Sequence, residues 1–199
     1  MALRTRISSE GNTREQILAA ALELFSERGF ANVSTRDLAE KAGIARSHVY
    51  HYFKNWQTLR HEVFDRFAQE QYDDLLSGMA NLNPDQKLAV FFREFMADGS
   101  KTGIAMWLDA WDEALHDPVL AEAYIAVNKR WQALLASIIA EGNRTGQFSC
   151  GSPERAARQL YALAMGYSDT LILAPSEALV REILSEVAEA TRMLVGSRQ

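Results

Sequence analysis

The chain carries one cysteine, Cys150, so no disulfide can form within it. No histidine or second cysteine stands beside Cys150 at metal-ligand spacing, which makes it a bystander, with a reactive thiol as the alternative. Prolines are equally few, and all 4 of them (Pro84, Pro118, Pro153, Pro175) fall at what reads as a helix boundary. No run of about 18 apolar residues occurs, which excludes a spanning helix and a membrane partner. The opening MALRTRISSEGN is polar and basic, without the apolar stretch of a signal peptide, so a cytoplasmic protein is expected. H-E-x-x-H, G-x-S-x-G, a Gly-rich phosphate loop and a Cys/His ligand set are all missing. Accordingly no catalytic residue, no metal and no cofactor is predicted, and the chain does not read as an enzyme.

What is present is ordinary for a folded, water-soluble protein: 199 residues, 48% apolar and 24% charged. The net charge of -5 hides an asymmetry. Residues 1–60 hold 9 Lys and Arg against 6 Asp and Glu, whereas residues 61–199 hold 12 against 20. A basic end suits a polyanion such as DNA; an acidic remainder suits solubility or a cationic ligand.

Capping signals and helical spacing divide the chain into helices with short joints. TREQ at 13–16 reads as a capping box, and Ile17, Leu18, Ala21, Leu22, Leu24 and Phe25 follow at helical spacing up to Gly29. STRD at 34–37 opens a second, brief helix; Gly43 permits a tight reversal, and a third short helix spans about 46–52. Asn55 can cap a long fourth helix to Ser77, and further helices are placed near 84–97, 102–115, 118–142, 153–173 and 177–195. No segment alternates apolar and polar residues as a strand would. The fold class expected is all-α, with a three-helix helix-turn-helix domain joined by a long helix to a larger helical domain.

Helix, four-residue joint, helix is helix-turn-helix spacing, in which the second helix enters the major groove by its N-terminal residues. Those residues are Arg46, Ser47 and His48, the candidates for reading bases; Arg46 suits bidentate contact to guanine. Thr35, Tyr50, Tyr52 and Lys54 carry hydroxyl or ammonium groups suited to phosphate. Arg4 and Arg6 suit either an arm in the minor groove or a solvated tail.

TREQILAAALELFSERGFANVSTRDLAEKAGIARSHVYHYFKNWQTL, residues 13–59, resembles the DNA-binding domain of the tetracycline-repressor (TetR) family of bacterial transcription regulators, through LFSERGF, the ST before the second helix, LAEKAGI and VYHYF. The resemblance implies a homodimer on a palindromic operator of double-stranded DNA, released when a small-molecule effector enters the C-terminal part. It implies a DNA-binding domain over 1–56, with its helix-turn-helix at about 35–52, and an effector-binding and dimerisation domain over 57–199. Thr35, Tyr50, Tyr52 and Lys54 fall at its backbone-contact positions, and Arg46, Ser47 and His48 where the operator is read. Three residues depart from the pattern: Ala45 stands where a capping residue is common, His48 replaces a small residue, and Trp56 stands where a lysine meets phosphate.

In the acidic part Trp107 and Trp111 are one helical turn apart, with Asp109, Asp112 and Glu113 near in sequence. Such a group suits an aromatic cage for a cation, although two tryptophans on one helix face more often fill a core or an interface. WLDAWDEALHDPVLAEAY is similar in outline to the choline-responsive BetI-type branch of the family. The candidate effector pocket takes in Phe92, Phe95, Met96, Trp107, Trp111, Tyr124, Tyr161, Met165 and Asp169. The last two helices bear apolar stripes that serve a core or an interface, and the resemblance implies a C2 interface over about 153–195 that includes Leu160, Ala164, Leu171, Ile183 and Val187.

The leading reading is a ligand-responsive repressor. A helical adaptor that has lost operator reading is the alternative, allowed by Ala45 and Trp56.

Overall fold

The computed structural model describes residues 2–97, 101–173 and 176–196; within these, the side chains of 2–12, 95–97, 101–105, 168, 169 and 172 lie outside the description. The described residues form helices and no strand: α1 (Ala2–Arg28), α2 (Thr35–Lys41), α3 (Arg46–Tyr52), α4 (Trp56–Met79), α5 (Pro84–Ala97), α6 (Lys101–Ala114), α7 (Pro118–Thr145), α8 (Pro153–Leu173) and α9 (Glu177–Val195). A 3-10 turn, Phe30–Asn32, links α1 to α2.

The all-α expectation holds, and α2 and α4 start at the caps read for them. Ser34 and Asp37 form the reciprocal capping box of α2. Asn55 Oδ1 accepts the Thr58 N–H at 2.7 Å, and Asn83 and Gln86 exchange bonds of 3.0 and 3.1 Å before α5. Ser176 Oγ accepts the Leu179 N–H at 3.1 Å to start α9, which closes on Gly196 in the left-handed region.

The first helix departs from expectation. It begins at Ala2 and runs through Thr13 rather than starting there. Capping boxes mark where a helix can begin; residues 2–10 contain no proline or glycine to stop it from continuing upstream. The backbone at Arg4 and Arg6 is therefore helical rather than an extended arm.

Packing divides the chain into two compact units, Met1–Glu70 with Ala105–Tyr124, and Gln71–Ile104 with Ile125–Gln199. In the first, Ile17, Ala21, Phe25, Phe30, Leu38, Val49, Phe53 and Leu59 are buried around the α1–α2–α3 corner. Arg14 pairs with Glu62 and Arg66 with Glu15, fastening α1 to α4.

In the second unit, α8 packs on α9 and both pack on α5. Gly142 is needed beneath the Phe148 ring, where a Cβ would lie 1.9 Å from a ring carbon. The five residues expected at an interface between copies, Leu160, Ala164, Leu171, Ile183 and Val187, are buried in this core. Cys150 is buried as well, its backbone tied to Asn143 through bonds of 2.8 and 2.9 Å.

Candidate functional site

Seven residues of α3 make a short helix whose one buried side chain is Val49. Anchored there, and by the buried Phe53 just beyond its end, α3 turns Arg46, Ser47, His48, Tyr50 and His51 outward. The three candidate base readers are thus exposed side by side at the start of the helix. Ala45 occupies the N-cap without a side-chain bond, so the chain itself offers no cap there.

The candidate phosphate contacts surround this helix unevenly. Tyr50 is 47% exposed, and its hydroxyl lies 3.2 Å from Thr35 Oγ1, which brings the start of α2 and the middle of α3 to one place. Thr35 itself is buried, at 8%, so its hydroxyl serves Tyr50 within the chain. The Thr35 hydrogen bond is the main influence that lowers the Tyr50 phenol below its ordinary value; burial opposes it, and Arg46 assists. Lys54 is exposed; Tyr52 is half-buried, its ring edge-on to His51 at 5.1 Å.

Trp56 turns inward. Its ring meets Phe25 edge-on at 5.7 Å, with the Arg60 guanidinium 5.9 Å from its centre. A lysine there would reach outward; the indole instead extends the core that supports α3.

The candidate pocket residues fall in different units. Trp107 and Tyr124 belong to the first, in an aromatic group with Phe64 and Phe67. Ring centres lie 5.3 Å apart for Phe64–Trp107, 5.8 Å for Trp107–Tyr124 and 5.8 Å for the stacked Phe64–Tyr124 pair. Trp111 is 53% exposed and stands outside this group. Phe64 and Phe67, which complete the group, escaped the sequence reading because they lie on another helix.

Phe92, Tyr161 and Met165 belong to the second unit. Phe92 is core, Tyr161 donates its hydroxyl to Asn128 Oδ1 at 2.5 Å, and Met165 is 38% exposed. The side chains of Phe95, Met96 and Asp169 lie outside the described residues. A cavity of about 280 Å³ in this unit is lined by Cys150, Ser152, Arg155, Gln159 and Leu194 among others, and takes in none of the expected residues.

Around the first unit's α6 lies a set of polar ties that the sequence did not announce. Arg60 Nη1 lies 2.7 Å from both Glu113 oxygens, and His61 Nε2 lies 2.7 Å from Asp117 Oδ2. Asp109 Oδ2 accepts the Phe30 N–H at 2.5 Å. No group of His, Cys, Asp and Glu suited to a metal ion occurs among the described residues, and no described helix is long and apolar enough to cross a membrane.

Residues 17–63 match the family model of bacterial regulatory proteins, tetR family, and residues 84–193 match that of the BetI-type transcriptional repressor, C-terminal. The regulator BetI of Stenotrophomonas maltophilia is 27% identical over 59% of this chain, and the match spans 62% of that relative, less than two thirds of its length. The repressor KstR2 of Mycolicibacterium smegmatis is 26% identical over 71% of this chain and 70% of its own. Among solved structures, a regulator from Saccharomonospora viridis in complex with choline superposes with a TM-score of 0.78 at 20% identity, covering 90% of this chain and 95% of the other. A TetR-family regulator from Cytophaga hutchinsonii gives 0.82 at 17% identity, covering 96% and 98%.

Proposed function

The chain belongs to the TetR family of bacterial regulatory proteins, and from that premise we propose that it is a transcriptional repressor, acting as a homodimer on a palindromic operator and released by a small-molecule effector. The observation that carries the DNA reading is the arrangement of α3, anchored by Val49 and Phe53 while Arg46, Ser47 and His48 are exposed together at its start. In this reading those three meet base edges, while Tyr50, Tyr52 and Lys54 meet phosphate and Thr35 orients Tyr50. The functional division falls near residue 56, with operator reading before it and effector binding and dimerisation after it.

The effector reading rests on the group formed by Trp107, Tyr124, Phe64 and Phe67. Aromatic faces attract organic cations, and the similar regulator from Saccharomonospora viridis was solved with choline, so a quaternary ammonium compound is the class to try first. Ligand and DNA would each favour a different arrangement of the protein, so each weakens the other's binding. The partner copy would cover the outer faces of α8 and α9, where Ala162, Gly166 and Ala188 are exposed beside Met165 and Met193.

The test is a footprint of the full chain on DNA flanking its own coding sequence, repeated with choline and with a neutral isostere. Protection of a palindrome that choline lifts and the isostere does not supports both halves. Protection indifferent to both compounds keeps the DNA reading and rejects the cation; no protection in any fragment favours the adaptor.

A further inference from the structure

α2 and α3 follow α1 through one short joint, and α2 is also tied back to α1 by Lys41–Glu23 and Arg28–Asp37. After Arg28 the chain turns at Gly29, with φ 78° and ψ 161°, and makes the 3-10 turn Phe30–Asn32 before Ser34 caps α2. A single 3-10 turn is a common connector and is held by few bonds of its own. Here both polar groups of Phe30 are held from outside. Its N–H donates to Asp109 Oδ2 at 2.5 Å, and its carbonyl accepts from Arg60 Nη2 at 3.2 Å.

Both holds lead to α6. Asp109 is on that helix, and Arg60 is gripped by Glu113, one turn further along, through two contacts of 2.7 Å to Nη1. Among the described residues Arg60 Nε is buried without a partner, so the guanidinium is held by these contacts with one N–H unmet there. The joint also leaves room for Asp109: a Cβ on Gly29 would lie 2.6 Å from Asp109 Oδ2. The Phe30 ring is buried against Phe25 at 4.9 Å, so the peptide cannot swing freely away.

We infer that Asp109 and Glu113 are positioning residues for operator recognition: α6 clamps the Phe30 peptide, directly and through Arg60, and so sets where the helix-turn-helix sits. Trp107 lies two residues before Asp109 on the same helix, inside the aromatic group. The inference rests on the DNA-binding reading above.

The experiment selects duplexes from a random pool with the full-length protein, then measures affinity for the selected duplex and for a scrambled one. Wild type is compared with Asp109→Ala, Asp109→Asn and Glu113→Gln, with thermal unfolding recorded for each. A hydrogen bond to a charged group corresponds to roughly tenfold in an equilibrium, so Asp109→Ala should lower the selected-to-scrambled ratio about tenfold while scrambled binding is kept. Asp109→Asn, which keeps an acceptor, should lose about a third as much on the same scale, and Glu113→Gln should fall between them. A merely structural role would lower both affinities in proportion to unfolding and leave the ratio alone. A ratio within about twofold of wild type in folded Asp109→Ala overturns the clamp, and if that variant does not fold, unchanged ratios in the other two overturn it. Failure of wild type to prefer any duplex would instead defeat the DNA reading; slow amide exchange at Phe30 that Asp109→Ala leaves unchanged would then overturn the clamp separately.

Discussion

His61 Nε2 lies 2.7 Å from Asp117 Oδ2, with side chains only 17% and 12% exposed, and the same aspartate caps α7 through the Val119 and Leu120 N–H groups. Burial would push the Asp117 carboxyl up, but the Leu120 N–H, the His61 ring and the Val119 N–H outweigh it and hold it below its ordinary value of 3.8. A depressed folded pKa contributes stability that is fully present above the ordinary value and is lost as pH falls through the folded one. Asp117→Asn should therefore destabilise the protein by about 1–3 kcal/mol at neutral pH. The gap from wild type should close in acid below 3.8. Urea unfolding across the acid range checks it, and a gap that does not change with pH contradicts it.

Gly29→Ala should cost about 1–3 kcal/mol, because its backbone lies in a region nearly reserved for glycine. The new methyl would also press on Asp109. Denaturant unfolding should show a lower midpoint with an unchanged slope, and Gly43→Ala, whose Cβ meets nothing within 4 Å, should cost less.

Arg46→Ala should relax discrimination at one operator position by about 1–3 kcal/mol, whereas Lys54→Ala should weaken all sequences alike and reduce the salt slope by about 1. Trp56→Ala should instead lower stability with little change in salt slope, since its ring packs on Phe25. Binding to a panel of single-base operator variants at several salt concentrations separates the three.

Much of this was legible before the structure. The capping box at Ser34 and the cap at Asn55 are local chemistry, readable from a few adjacent residues, and both helices start there. Helix-turn-helix spacing placed Arg46, Ser47 and His48 at the start of α3, where they are exposed. What escaped depends on contacts distant in sequence. Asp109 meets Phe30 across 79 positions, and no local pattern announces that bond. The stripe through Leu160, Ala164, Ile183 and Val187 showed correctly that these residues are buried, but periodicity does not say whether the covering surface is the same chain or another. Trp107 and Trp111 share a helical spacing, yet only Trp107 enters the aromatic group.

Gly166 lies on the exposed face of α8, with nothing within 4 Å of its Cβ position. An arginine there should leave helicity unchanged within the chain and dissociate a dimer built on that face. Sedimentation of Gly166→Arg should show monomer, whereas an unchanged dimer would place the interface elsewhere.

The most direct test of the account is equilibrium binding of the full chain to its selected duplex over a salt series, with scrambled duplex as competitor. The account predicts tight binding to the selected duplex that resists competitor and keeps its preference as salt rises; weak binding of equal strength to both duplexes, lost together with salt, would contradict it.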